Sequence, residues 1–137
     1  MPRIIRINHI GLAVQSIDEA LGVFSGGLGL SVAGQEVVPG DAVRVAFLPV
    51  GESRIELLEP VGDAGPLQKF LSTRGKGMHH MCLEVEDLPG LLAQLREAGV
   101  GLIDDVPRPG ANGSMVAFVH PKSAEGVLIE LVESAPR

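Results

Sequence analysis

One pattern occurs twice in this chain, and that repetition limits the folds open to it. Ile7-Asn8-His9-Ile10-Gly11-Leu12 opens the first copy and Met78-His79-His80-Met81-Cys82-Leu83 opens the second, with His9 and His80 71 residues apart. At the same offset Ile17, Ala20, Leu21 and Phe24 meet Leu88, Leu91, Leu92 and Leu95, and Val45-Ala46-Phe47 meets an identical Val116-Ala117-Phe118. The turn before the last strand gains three residues, so Ile55-Glu56-Leu57 meets Ile129-Glu130-Leu131 at an offset of 74. Several matches in register with one small insertion point to duplication; two copies of this length are not a solenoid.

Each copy reads as β-α-β-β-β. In the first, Ile4 to Val14 alternates as a strand. Ser16-Ile17-Asp18-Glu19 is a capping-box pattern, and the apolar residues after it follow helical spacing up to Gly26-Gly27. A short strand is expected within 28–38, then a turn at Pro39-Gly40-Asp41 and strands at 43–49 and 54–58. In the second, Met78 to Val85 is a strand and Asp87 is the N-cap of a helix buried through Leu88, Leu91, Leu92 and Leu95. Val100 to Asp104 is expected as a short strand, 107–113 as a loop, and 114–120 and 127–133 as the closing strands. The expected organisation is one α+β domain over 1–137, with module one at 4–60, a linker at 61–77 holding a short helix around Leu67, Phe70 and Leu71, and module two at 78–133.

Duplication places one His and one Glu at equivalent positions of each module: His9 and His80 on first strands, Glu56 and Glu130 on last strands. Each Glu interrupts an apolar run, where an isolated buried carboxylate would be costly. If the modules join about a pseudo-twofold axis, two imidazoles and two carboxylates suit a divalent transition ion with open coordination positions. His79, of opposite strand parity to His80, is expected to face away from such an ion. Glu59 and Glu133 are expected at strand ends in water. Cys82 reads as a small cavity-lining residue, not a nucleophile. Lys69, Arg74, Lys76, Arg108 and Lys122 could contact phosphates but read first as scattered surface cations, and His120 reads as a turn residue that could contact substrate.

Composition narrows the partners. A net charge of −6 argues against nucleic acid and anionic membrane, and four Phe with no Trp or Tyr provide few base-stacking platforms. One cysteine excludes an internal disulfide framework and, with no signal-like start or bilayer-length apolar run, fits the cytoplasm.

The paired modules with their His/Glu/His/Glu quartet resemble the vicinal oxygen chelate superfamily, which implies a cupped eight-stranded mixed sheet around a metal. Within it, Val45-Ala46-Phe47-Leu48-Pro49, Ile55-Glu56-Leu57-Leu58-Glu59-Pro60, Gly77-Met78-His79-His80, Pro107-Arg108-Pro109-Gly110-Ala111 and His120-Pro121-Lys122-Ser123 look like the methylmalonyl-CoA epimerase family. The resemblance implies His9, Glu56, His80 and Glu130 as metal ligands, cobalt first and nickel, manganese or zinc after it. It implies an acyl-CoA substrate, a homodimer, and a 2-epimerase that removes and returns the C2 proton through a metal-stabilised enolate, with Glu130 as catalytic base. Arg44 stands where some relatives carry a second glutamate, and an arginine is no base at neutral pH; water, Glu56 or another residue takes the opposite face. The alternatives are a glyoxalase I-type lyase, which uses the same quartet, and a non-catalytic binding protein on the same scaffold.

Overall fold

A computed structural model describes residues 1–136. The elements are β1 (Arg3–Ala13), α1 (Ile17–Leu21), β2 (Gly34–Val38), β3 (Val43–Val50), β4 (Ser53–Pro60), α2 (Pro66–Arg74), β5 (Gly77–Glu86), α3 (Leu88–Glu97), β6 (Arg108–Pro109), β7 (Met115–Val119) and β8 (Leu128–Glu133). The class is α+β, and the strands form an open mixed sheet in the order β2-β3-β4-β1-β5-β8-β7-β6. Contacts divide the chain into two compact units, His9–His79 in one and Met1–Asn8 with the chain from His80 onward in the other. Both dividing points fall at a histidine, inside β1 and inside β5. Among the described residues no helix is long and apolar enough to cross a membrane.

In the His9–His79 unit, β1 runs parallel to β4, and β3 runs antiparallel to both β4 and β2. Alternation along the strands sends two apolar sets to opposite faces. Ala46, Leu48 and Leu57 pack with Ile17 of α1 on one face. Ala13, Val45 and Leu58 pack with Leu67 and Leu71 of α2 on the other. The second face is the one that carries His9 and Glu56, because Ala13 follows His9 and Leu58 follows Glu56 at even spacing. The linker helix α2 therefore seals one end of the face bearing the candidate ligands.

In the other unit, β5 runs parallel to β8 and β7 antiparallel to it. Val85, Ala117, Val119 and Leu131 pack against Leu88, Leu91 and Leu92 of α3. That is the face opposite Glu130. The N-terminal part of β1 belongs here, tied to β5 by Arg3 Nε and Nη2 donating to Glu86 at 3.0 Å and by Asn8 Nδ2 donating to Glu84 Oε1 at 3.1 Å.

Three expectations need correction. The first helix keeps α geometry only to Leu21 and continues as a π-type helix over Gly22–Gly27, where three glycines weaken regular helix. The strand expected at 100–104 is reduced to a single bridge, Leu102 to Val119. Asp104 explains this: its carboxylate accepts the Phe118 N–H at 2.8 Å, so a side chain takes the place of the next ladder carbonyl. The edge position passes instead to β6, within the expected loop. Finally, Glu59 and Glu133 are not strand-end charges in water. Glu59 Oε1 accepts the Ile17 N–H at 2.8 Å, and the two oxygens of Glu133 accept the Asp87 and Leu88 N–H groups at 2.8 Å each. Each caps the helix of its own module.

Candidate functional site

The ladders explain how each module brings its histidine to its glutamate. In β1–β4 the partners are His9↔Arg54 and Gly11↔Glu56. In β5–β8 they are His80↔Leu128 and Cys82↔Glu130. The residue directly beside each glutamate is small, so the carboxylate leans along the strand to the histidine two positions earlier. His9 Nδ1 lies 3.4 Å from Glu56 Oε2, and His80 Nε2 lies 3.5 Å from Glu130 Oε1. His9 and Glu56 are buried. Cys82 is buried beside Glu130, its ladder partner.

These separations fit a shared cation. With metal–donor distances of about 2.0–2.2 Å, neighbouring donors on one ion stand about 3–3.5 Å apart. Each module thus offers one imidazole nitrogen and one carboxylate oxygen at ligand spacing, without a thiolate in the pair. That donor chemistry suits a divalent transition ion.

One residue of this site is missing from the sequence-based reading. Arg54 Nε donates to Glu56 Oε2 at 2.6 Å, and its Nη2 lies 3.4 Å from His9 Nδ1. Its Cζ stands 5.9 Å from the centre of the Phe47 ring. His9 Nδ1 thus stands between the Arg54 guanidinium, which donates, and the Glu56 carboxylate, which accepts. Burial pushes the Glu56 carboxyl above the usual carboxylate range; Arg54 opposes that shift and Glu36 adds to it. The available signal was parity, since positions 54 and 56 share a strand face.

The remaining candidates separate clearly. His79 turns its ring onto Phe70 of α2 at a centroid distance of 4.7 Å, and Arg74 stacks over the same Phe70 ring at 5.5 Å. Arg44 pairs with Glu59 at 3.5 Å. His120 Nδ1 accepts the Lys122 N–H at 3.1 Å, a local turn contact. Arg108 is more than a scattered surface cation. It pairs with Asp104 at 3.2 Å and stands over the Phe118 ring at 5.3 Å. Phe118 in turn is the ladder partner of Glu130, as Phe47 is of Glu56.

A family model for the glyoxalase/bleomycin resistance protein/dioxygenase superfamily matches residues 8–118. The chain belongs to that superfamily. The matched segment holds His9, Glu56 and His80; Glu130 lies beyond it, on β8. Near-full-length relatives extend the likeness. The uncharacterized protein YqjC of Bacillus subtilis is 41% identical over 93% of this chain and 91% of its own length. The ethylmalonyl-CoA/methylmalonyl-CoA epimerase of Cereibacter sphaeroides is 37% identical, covering 92% of this chain and 96% of that protein. A solved methylmalonyl-CoA epimerase in complex with methylmalonyl-CoA and NH4+ superposes with a TM-score of 0.84 at 36% identity, over 97% of this chain and 96% of the other. The glyoxalase-type fold that the resemblance implies is therefore the fold of this superfamily member.

Proposed function

We propose that this protein is an epimerase of branched malonyl-CoA thioesters, interconverting (2R)- and (2S)-methylmalonyl-CoA with a divalent ion held by His9, Glu56, His80 and Glu130. The observation that carries the reading is the equivalent His/Glu pair in each module at 3.4 and 3.5 Å, in a chain with epimerase relatives matched over nearly its whole length. Cobalt is the first candidate for the ion, followed by nickel, manganese and zinc. When bound, the ion supplies the Lewis acidity that makes the C2 proton next to a thioester removable. Homodimeric assembly belongs to the same reading, supported by the resemblance to the epimerases. A cytoplasmic location is supported by the lone buried Cys82.

The protein's own groups divide the remaining work. Glu130 takes the C2 proton from one face of the substrate. Its backbone is held on both sides, by Cys82 of β5 and Phe118 of β7, so the carboxylate is presented from a rigid strand. His80 beside it orients the carboxylate. Inversion needs a second proton-transfer group on the other face. Arg44 does not fill that role: it is an always-protonated guanidinium already paired with Glu59. Glu56 or a water molecule returns the proton there. The apolar face around Leu58, Leu67 and Leu71 limits the water beside Glu56.

The test is deuterium exchange at C2 of (2S)- and (2R)-methylmalonyl-CoA, followed by NMR in D2O with cobalt-loaded protein. Exchange accompanied by interconversion of the isomers is expected, with a loss of about 10²–10⁴-fold in Glu130→Ala. No exchange with cobalt, nickel, manganese or zinc would overturn the reading.

A further inference from the structure

Arg54 touches both donor atoms of the first module's candidate metal pair. Its guanidinium reaches Glu56 Oε2 at 2.6 Å and His9 Nδ1 at 3.4 Å, and those two atoms are 3.4 Å from each other. The aromatic face of Phe47 braces it from the adjacent strand. Nothing in the duplicated pattern requires an arginine there. At the 74-residue offset its counterpart is Leu128, the ladder partner of His80 as Arg54 is of His9. Two modules with the same His/Glu pair therefore carry different side chains beside the histidine, a cation in one and a leucine in the other.

We infer that Arg54 is a resident counter-cation of the first half-site: it neutralises Glu56 and holds the His9–Glu56 pair in ligand geometry while no metal is bound, and an incoming metal ion must displace it. This rests on the reading of His9 and Glu56 as metal ligands. A buried carboxylate next to an imidazole needs a positive charge to remain ionised. A guanidinium meets that need with directed hydrogen bonds. A divalent ion on the same two atoms would stand within a few ångströms of the guanidinium, where two cations repel strongly at low dielectric. The side chain has an exit, since 37% of it is exposed to solvent. The guanidinium thus preorganises the pair while reducing its apparent affinity for metal.

Cobalt(II) affinity, measured by competition against a chromophoric chelator, tests this in the wild type, Arg54→Leu and Arg54→Gln. Leucine is the residue module two carries at this place, and glutamine keeps a polar side chain should leucine impair folding. Both variants should bind cobalt about tenfold more tightly, or better. Their metal-free forms should melt earlier than the wild type by circular dichroism, and cobalt should abolish that difference. Millimolar guanidinium, which can re-enter the vacated space, should weaken cobalt binding to Arg54→Gln and leave the wild type unaffected. Equal or weaker cobalt binding by folded variants would overturn the inference and leave the metal reading intact. Absence of cobalt binding in wild type and variants alike would overturn both.

Discussion

Module one and module two share a strand plan and a His/Glu pair, yet they stabilise the pair's surroundings in different ways. In module two the helix is regular over ten residues, Leu88–Glu97, and the N–H groups at its N-terminus donate two hydrogen bonds to Glu133 besides the Gly90 N–H that its own Asp87 cap accepts. In module one the helix keeps α geometry for five residues, and Glu59 accepts one hydrogen bond from its N-terminus while also meeting Arg44. Module one instead has the linker helix α2 over the face that carries His9 and Glu56, and sets Arg54 against that pair. The duplication preserved what the sheet needs and left each copy to satisfy its polar and buried groups locally. A repeated motif is therefore a good guide to backbone placement, and a poor guide to the groups around the repeated His/Glu pair.

The largest break in the symmetry should appear in the cores. Leu92 is 1% exposed at the centre of the α3 cluster, whereas its counterpart Leu21 is only partly buried at the point where α geometry gives way to π. Leu92→Ala should cost about 2–5 kcal/mol in denaturant unfolding, the usual penalty for a fully buried leucine. Leu21→Ala should cost about half as much or less, because water already reaches part of the side chain. Equal costs would mean that the two helices are held equally tightly and that the irregular geometry of the first has no energetic consequence.

The helix caps sharpen the comparison at smaller scale. Glu133→Ala leaves two N–H groups without their acceptor and should lower stability by about 1–2 kcal/mol. Glu59→Ala leaves one, at Ile17, and should cost about 1 kcal/mol or less. Both are read from chemical denaturation, and a larger cost for Glu59 would place the tighter anchorage in module one.

Much of this architecture was legible in the sequence because it is local or repeated. Strand alternation placed β1, β3, β4, β5, β7 and β8 within a residue or two of their ends, and Ser16 and Asp87 announced their own caps by position. The repeat and the two identical Ile-Glu-Leu segments singled out one His and one Glu in each copy, while the direct approach of His9 to Glu56 and of His80 to Glu130 appears only in the fold. What escaped depends on partners far along the chain. Glu59 meets Ile17 across 42 residues, and Glu133 meets Leu88 across 45, so neither cap leaves a local signature. The lost strand at 100–104 is similar in kind: whether Asp104 ends a ladder depends on the Phe118 N–H being in reach of its carboxylate. Arg54 is the exception, since strand parity alone put it on the face of Glu56, but a surface cation and a resident counter-ion look alike until the histidine strand is placed beside them.

The smallest expected effect compares His79 with Asn8, its counterpart at the 71-residue offset. Asn8 donates to Glu84 and does not titrate, whereas His79 lies against Phe70. Burial, and secondarily the nearby Arg74 charge, holds the His79 imidazole below its ordinary value of 6.5. Above that value the ring is neutral in folded and unfolded chains alike, and it contributes no pH dependence. As pH falls below 6.5 the unfolded chain takes up a proton that the folded chain still refuses, so stability declines with acidification until the lowered folded value is passed. Urea midpoints taken at about pH 7.5 and about pH 5.5 should therefore fall more steeply for the wild type than for His79→Asn, which borrows the residue of module one. The rest of the chain titrates in common and cancels in that difference. Parallel slopes would show that packing against Phe70 does not hold the His79 imidazole below its ordinary value in the folded protein. In that case the contact of linker helix α2 with His79 sets no pH dependence of stability, and His79 differs from Asn8 in packing alone.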